Sequence, residues 1–202
     1  MKNFKNVFFD VDQTLTRSRS LIDPFMKDAL MKLAQKKNVI TVSGATAEQT
    51  LKQVTPDFLG KIFMLTQNGN YAKAKDEREL WRNILSDEQK REITTHVKNV
   101  KDQFGDMLAG ADEGDLVQER GCQISFSLLG HNANLEKKEK FDPKGETRVR
   151  ILTHVPFISK TLEVKIGGTT CFDYFERGKN KGHNERQLHK AMGWNTEDSL
   201  YI

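Results

Sequence analysis

Two carboxylates one residue apart stand close to the start of the chain, in Val7-Phe8-Phe9-Asp10-Val11-Asp12-Gln13-Thr14-Leu15-Thr16. The run Val7-Phe8-Phe9 is short, apolar and partly β-branched, which predicts a buried strand. Asp10 and Asp12 then fall at its carboxyl end, where open α/β sheets bind their ligands. Two neighbouring carboxylates repel unless a cation sits between them. Mg²⁺ suits such oxygen ligands and usually brings substrate phosphate with it. Read alone, the pair is equally a strand end with two solvated aspartates, and its context decides between the two.

The elements that position this pair follow in order. Asp23-Pro24 reads as an N-cap with Pro at the first helical position, ahead of Phe25, Ala29, Leu30 and Leu33 at helical spacing. Val39–Val42 predicts a second strand, Thr46 with Gln49 a capping box for a helix carrying Leu51 and Val54, and Ile62–Leu65 a third strand. Alternating strands and helices predict a doubly wound parallel sheet, a Rossmann-like α/β core. Then the pattern changes. Asn68-Gly69 signals a hairpin turn with Tyr71–Ala74 returning. Ser86 and Gln89 open a helix with an Ile93, Val97, Val100, Phe104 stripe, and alternating segments follow at 124–128 and 162–166. Between them Asp142-Pro143 predicts the start of a helix carrying Val149, Leu152 and Val155. This is an α+β pattern with one sheet face covered. The expected organisation is a core of residues 1–83 and 176–202, with an α+β domain inserted at 84–175. Lys181–Met192 predicts a closing helix stopped by Gly193, and Leu200-Tyr201-Ile202 the beginning of another buried strand.

Composition narrows the function classes. The chain has 202 residues, with 37% hydrophobic and 30% charged residues and a net charge of +4. That is a globular composition on the polar side. No apolar run is long enough to cross a membrane and no signal peptide is visible, so the reading is a cytoplasmic protein without a membrane partner. Cys122 and Cys171 form no Cys-x-x-Cys pair, which fits two inert thiols in a reducing compartment. The basic excess is scattered. Its densest run, Lys137-Lys138-Glu139-Lys140, is broken by an acid and reads as a solvated face or loop rather than a nucleic-acid patch. A small phosphorylated substrate accounts for the same excess.

Asp10-Val11-Asp12-Gln13-Thr14 resembles the Asp-x-Asp-x-Thr signature of the haloacid dehalogenase superfamily, with Gln13 where Gly is usual. Four more stretches resemble the branch of that superfamily with an inserted α+β cap, nearest to eukaryotic-type phosphomannomutases and related sugar-phosphate phosphatases. They are Val42-Ser43-Gly44-Ala45-Thr46, Gln67-Asn68-Gly69-Asn70, Gly167-Gly168-Thr169-Thr170-Cys171-Phe172-Asp173 and Gly178-Lys179-Asn180-Lys181-Gly182. The resemblance implies Asp10 as nucleophile and Asp12 as general acid and base, with both also serving Mg²⁺, Asp12 through its backbone carbonyl. It implies Ser43 as the phosphate-binding hydroxyl, with Thr46 the alternative that otherwise reads as a plain helix N-cap. It implies Lys181 as the lysine that steadies Asp10 and phosphate. Arg19, Arg120 and Asp173 would bind substrate, and the cap would close over the site, exclude water and choose the sugar. The family's next cap arginine corresponds to Gly130-His131, which weakens a mutase, with its need to hold two phosphates, more than a phosphatase.

The resulting expectation is a Mg²⁺-dependent phosphatase of a small sugar phosphate. The alternatives are a phosphomannomutase, or a catalytically silent phosphosugar-binding protein on the same fold. A homodimer through the cap belongs to the same expectation. In the superfamily an acidic Gly-Asp segment follows the next strand and completes the metal site. Because the sequence stops at Ile202 ahead of any such segment, the expectation is a fragment or divergent product with a weak metal site and little activity.

Overall fold

The computed structural model describes residues 4–17, 19–108 and 110–202. It divides into two compact units, Met1–Asn83 with Lys179–Ile202, and Ile84–Gly178.

The first unit is built on a six-stranded sheet. Its strands are β1 (Asn6–Asp10), β2 (Asn38–Val42), β3 (Phe63–Thr66), β4 (Tyr71–Lys73), β5 (Glu79–Arg82) and β10 (Ser199–Tyr201), in the order β10-β1-β2-β3-β4-β5. Strands β10, β1, β2 and β3 are mutually parallel, and β4 and β5 continue antiparallel. Both faces are covered, as parallel sheets require. Val7, Phe9, Val39 and Met64 pack on one side with Leu30 of α1 (Pro24–Ala34) and Val54 of α2 (Ala47–Val54). Phe8, Ile40, Val42, Phe63 and Leu65 pack on the other with Leu188 of α6 (Lys181–Met192). The period-two alternation of side chains along a strand produces these two cores.

Asp23 caps α1, accepting from the Phe25 and Met26 amides. Its buried stripe keeps Leu30 and Leu33 of the expected four residues but not Phe25, which is 81% exposed, or Ala29, which also faces outward. Met31 and Ala34 join Leu30 and Leu33 against the sheet. Thr46 and Gln49 form the expected capping box of α2.

The second unit is a four-stranded antiparallel sheet in the order β6 (Val117–Glu119), β7 (Ile124–Ser127), β9 (Cys171–Glu176), β8 (Leu162–Gly167). The sequence boundary of 175 falls inside β9. One sheet face carries the core: Ile124, Phe126, Phe172 and Tyr174 meet Ile93, Val97 and Val100 of α3 (Asp87–Phe104) and Ile151 of α5 (Glu146–His154). The lysine-rich run is neither loop nor fully solvated. It forms α4 (Leu135–Phe141), and Lys138 is buried with its Nζ donating to His131 O at 2.9 Å. The helix expected from Asp142 starts at Glu146. Asp142 instead ends α4 and accepts from the Thr147 and Arg148 amides. Of the expected stripe Leu152 and Val155 pack on the core, whereas Val149 is exposed and Arg148 and Ile151 are buried in its place.

Arg148 and Asp142 form an ion pair whose side chains are each 3% exposed. Burial pushes the Asp142 carboxyl up, but the bonds from Arg148 and from the two amides bring it below the usual range. The same guanidinium donates to Gly167 O and Gly168 O, both at 2.9 Å, and so fixes the β8–β9 turn.

His96 of α3 is buried, with Nε2–H donating to Val155 O and Nδ1 accepting from the Tyr174 hydroxyl, both at 2.8 Å. Burial holds this imidazole below its ordinary value of 6.5, against a smaller opposing effect of the Val155 carbonyl. The unfolded chain then binds the proton more tightly than the folded one. Stability is full above 6.5 and is lost as pH falls from there toward the lowered folded-state value. Urea unfolding between about pH 7.5 and about pH 5.5 should show that loss, and His96→Gln should reduce it.

Candidate active site

Asp10 is the last residue of β1 and pairs with Val42 at the end of β2. The parallel register therefore puts Ser43 beside it, at the same edge of the sheet. Beyond Asp10 the backbone folds into a tight loop. The Leu15 and Thr16 amides donate to Val11 O, and the Gln13 amide donates to Thr16 O at 2.7 Å. Val11, Leu15 and Thr16 are buried and anchor this loop beneath its exposed residue, Gln13.

Lys181 opens α6, which Asn180 caps by accepting from the His183 amide. Its Nζ lies 3.0 Å from Asp10 Oδ1. That same oxygen accepts from the Val11 amide at 2.8 Å. The pair is partly solvated, with side chains 38% and 44% exposed, so it contributes little to stability and can still meet a ligand.

Asp12 has other partners. Its Oδ1 accepts from Gln53 Nε2 at 2.8 Å and from the Arg19 amide at 3.2 Å. Gln53 is a buried polar residue of α2 and also donates to Thr16 Oγ1. It is a supporting residue that sequence reading missed, since one glutamine in an amphipathic helix carries no motif. Ser43 is buried, and its Oγ accepts from the Ala45 amide at 3.0 Å. Thr46 Oγ1 accepts from the Gln49 amide as the helix cap. Glu185, one helical turn after Lys181, is half-buried. Burial raises its carboxyl, Lys181 and Arg186 lower it, and Asp10 raises it further.

Of the expected site residues, Asp10 and Lys181 are in direct contact, Ser43 follows the strand beside Asp10, and Asp12 stands two residues on. Arg19 is exposed in the same unit and meets Asp12 through its backbone. Arg120 and Asp173 belong to the second unit. Arg120 Nη2 donates to Gln118 Oε1 at 2.9 Å. Asp173 is buried and accepts from Ser125 Oγ at 2.7 Å. A Cβ at Gly167 would come within 2.2 Å of Asp173 Oδ2, so any other residue there would displace the Asp173 carboxylate. His131 is buried too, its Nε2 bonded to Ser125 O at 3.0 Å.

Residues 7–154 match the family described as haloacid dehalogenase-like hydrolase. The chain belongs to the haloacid dehalogenase-like hydrolases. Among curated relatives of this hydrolase, phosphomannomutase 1 of Dictyostelium discoideum is 28% identical over 190 residues, spanning 89% of this chain and 75% of that protein. The phosphomannomutase of Saccharomyces cerevisiae is 25% identical over 193 residues, spanning 91% and 75%. A haloacid dehalogenase-like hydrolase from Bacteroides thetaiotaomicron superposes with a TM-score of 0.67 at 13% identity, covering 98% of this chain and 81% of that one. One from B. subtilis gives 0.67 at 13%, covering 98% and 82%. The structural neighbours establish the fold, and the family match establishes an enzyme of this class. Among the described residues, no helix is long and apolar enough to cross a membrane.

Gln13 occupies the position where the superfamily usually has Gly, and its φ of 64° lies in the left-handed region. A β-branched residue there should cost about 1–2 kcal/mol more than a tolerant one. Gln13→Val should lower the urea midpoint accordingly, whereas Gln13→Gly should stay within about 1 kcal/mol of the parent.

Proposed function

We propose that this hydrolase is a Mg²⁺-dependent phosphatase of a small phosphorylated sugar, working through an aspartyl-phosphate. The observation that carries the reading is the contact between Lys181 Nζ and Asp10 Oδ1 at 3.0 Å, across 171 residues of sequence. An ammonium beside a strand-end carboxylate is suited to receive a phosphoryl group next to that carboxylate.

The Val11 amide and Lys181 both engage Oδ1, so attack is assigned to Oδ2 of Asp10. Oδ2 forms the bond to phosphorus while the ester oxygen departs with a proton from Asp12. Water then adds to the phosphoryl group, gives its proton to Asp12, and frees phosphate and Asp10. Gln53 and the Arg19 amide hold Asp12 in place for both proton transfers. Ser43 and Lys181 are assigned to the phosphoryl oxygens.

The donor set suits Mg²⁺. Among the described residues, no group of three or more His, Cys, Asp or Glu side chains forms a metal cage. This ion, however, is typically held by one or two carboxylates together with substrate phosphate and water. Asp10 through its carboxylate and Asp12 through its backbone carbonyl would hold it. When bound, it would neutralise charge on the transferring phosphoryl group.

The relatives are named phosphomannomutases, and a mutase is the second reading. The state of His131 favours the phosphatase. Its ring is buried against Ser125 O, where the corresponding cap arginine of phosphomannomutases would hold a second phosphate. Supplying a panel of hexose phosphates with Mg²⁺, and measuring free phosphate against isomerised sugar phosphate, tests the two readings. Predominant isomerisation would overturn the phosphatase reading.

Two outcomes are expected. Asp10→Asn should keep the circular dichroism spectrum and lose at least about 10³-fold in turnover of an aryl phosphate, as loss of a nucleophile does. Parent-like turnover would exclude the covalent route. Arg120→Ala should lower kcat/KM for hexose phosphates by about tenfold while leaving the aryl phosphate within about twofold, because its guanidinium is assigned to the sugar substrate. Equal losses on both would reassign Arg120 to folding.

A further inference from the structure

We propose that Asn70 and Asn184 are positioning residues for Lys181, gripping the main chain from which that lysine reaches Asp10. This rests on the reading of Lys181 as the phosphoryl-oxygen ligand. Both asparagines are fully buried.

They converge on one atom. Asn70 Nδ2 donates to Lys179 O at 3.0 Å and Asn184 Nδ2 donates to the same oxygen at 3.1 Å. Lys179 lies two residues before Lys181, at the entry to α6. The second proton of each amide goes to the β3–β4 turn: Asn70 to Gln67 O at 3.0 Å, and Asn184 to Asn68 O at 2.9 Å. The turn and the lysine segment are therefore tied twice.

The turn is tied to the other phosphate-binding segment as well. The Asn68 amide donates to Ser43 O at 2.8 Å, and the Gln67 amide to Ala45 O at 2.9 Å. Residues 67–70 thus bridge the loop that carries Ser43 and the loop that carries Lys181. Contact between turn and helix is close: a Cβ on Gly69, whose φ is 82°, would lie 2.6 Å from Asn184 Cβ. A side chain at position 69 would therefore push the turn and α6 apart.

The chemistry argues for position rather than packing. An apolar residue at 184 would fill the space without burying a polar group. Asn184 instead buries an amide whose Oδ1 has no hydrogen-bond partner among the described residues, a cost that packing alone would avoid. What the amide secures is the placement of two carbonyls.

The test is a double-mutant cycle read by calorimetry of orthovanadate binding in the presence of Mg²⁺, which needs no turnover. Asn184→Ala should weaken vanadate binding by about tenfold when Lys181 is present, and by no more than about twofold in a Lys181→Ala background. Asn70→Ser should behave in the same way and serves if Asn184→Ala does not fold. Trp81→Phe is the structural control: it removes the indole donor to Gly69 O at 2.8 Å in the same turn without touching Lys179. It should lower thermal stability and leave vanadate affinity within about twofold. Equal losses with and without Lys181, or a Trp81→Phe loss matching that of Asn184→Ala, would overturn the positioning role. A parent protein that binds no vanadate would overturn the phosphate-site reading itself, and the proposal with it.

Discussion

The structure depends on bringing one ammonium to one carboxylate at the end of a parallel strand. Asp10 terminates β1, where strand and backbone fix it within a narrow range. Lys181 arrives after a separate unit of Ile84–Gly178 has been completed. A lysine side chain is long and carries several free rotors, so proximity in the fold does not by itself place its charge. The burden falls on the segment from which it springs. That segment is the start of a capped helix, held by bonds to Lys179 O and by the packing of Leu188 on the sheet. Positive charge at a helix N-terminus is unfavourable to the macrodipole. Its presence here is compensated by Asp10.

The second unit solves another problem. A four-stranded antiparallel sheet with helices on one face needs its hairpins held in register. The β8–β9 turn contains two successive glycines and has little intrinsic preference. Arg148 supplies the constraint from α5, donating to two turn carbonyls while Asp142 neutralises it. A buried ion pair is not an efficient source of stability. Its five donors in a fixed plane, however, do what an apolar side chain could not: they hold two carbonyls and a helix start together.

Much of this was legible in the sequence because the signals were local. Capping boxes at Thr46 and Ser86, Pro24 after Asp23, and Gly193 after α6 each act within a few residues, and each marks the boundary it should. The strand before Asp10 and its place in a parallel sheet follow from a short apolar run. What was not legible depends on distant partners. The stripe of α1 could not be oriented from spacing alone, since Phe25 and Leu30 are equally apolar and only the sheet distinguishes them. The start of α5 was misplaced because Asp142 looks like an N-cap, yet its carboxylate reaches over Gly145 to the amides of the first turn. Strands β5, β6 and β9 were not anticipated. The first two are short, and β9 mixes Asp173 into an aromatic run that shows no clean alternation. Gln53 and Asn184 escaped, and the bond from Asn70 to Lys179 O with them, because their partners lie across the fold.

Strain gathers where those distant partners act. Among the described residues, the non-glycine positions with positive φ include Gln13 and Arg19 after β1 and Gln67 and Asn68 after β3. Such conformations persist only where the surroundings determine them more strongly than local preference does. Here the surroundings are identifiable. Gln53 and Asp12 secure the first loop, and Asn70 and Asn184 secure the second. The loops at the carboxyl ends of β1 and β3 are thus held by side chains from elsewhere in the fold as well as by their own backbone hydrogen bonds. A polar side chain can grip a carbonyl or an amide at a defined distance and angle, whereas an apolar contact tolerates sliding. That difference explains why buried amides brace the loops around Asp10 and Lys181, while the side chains that fill both faces of the sheet beneath them are mostly apolar.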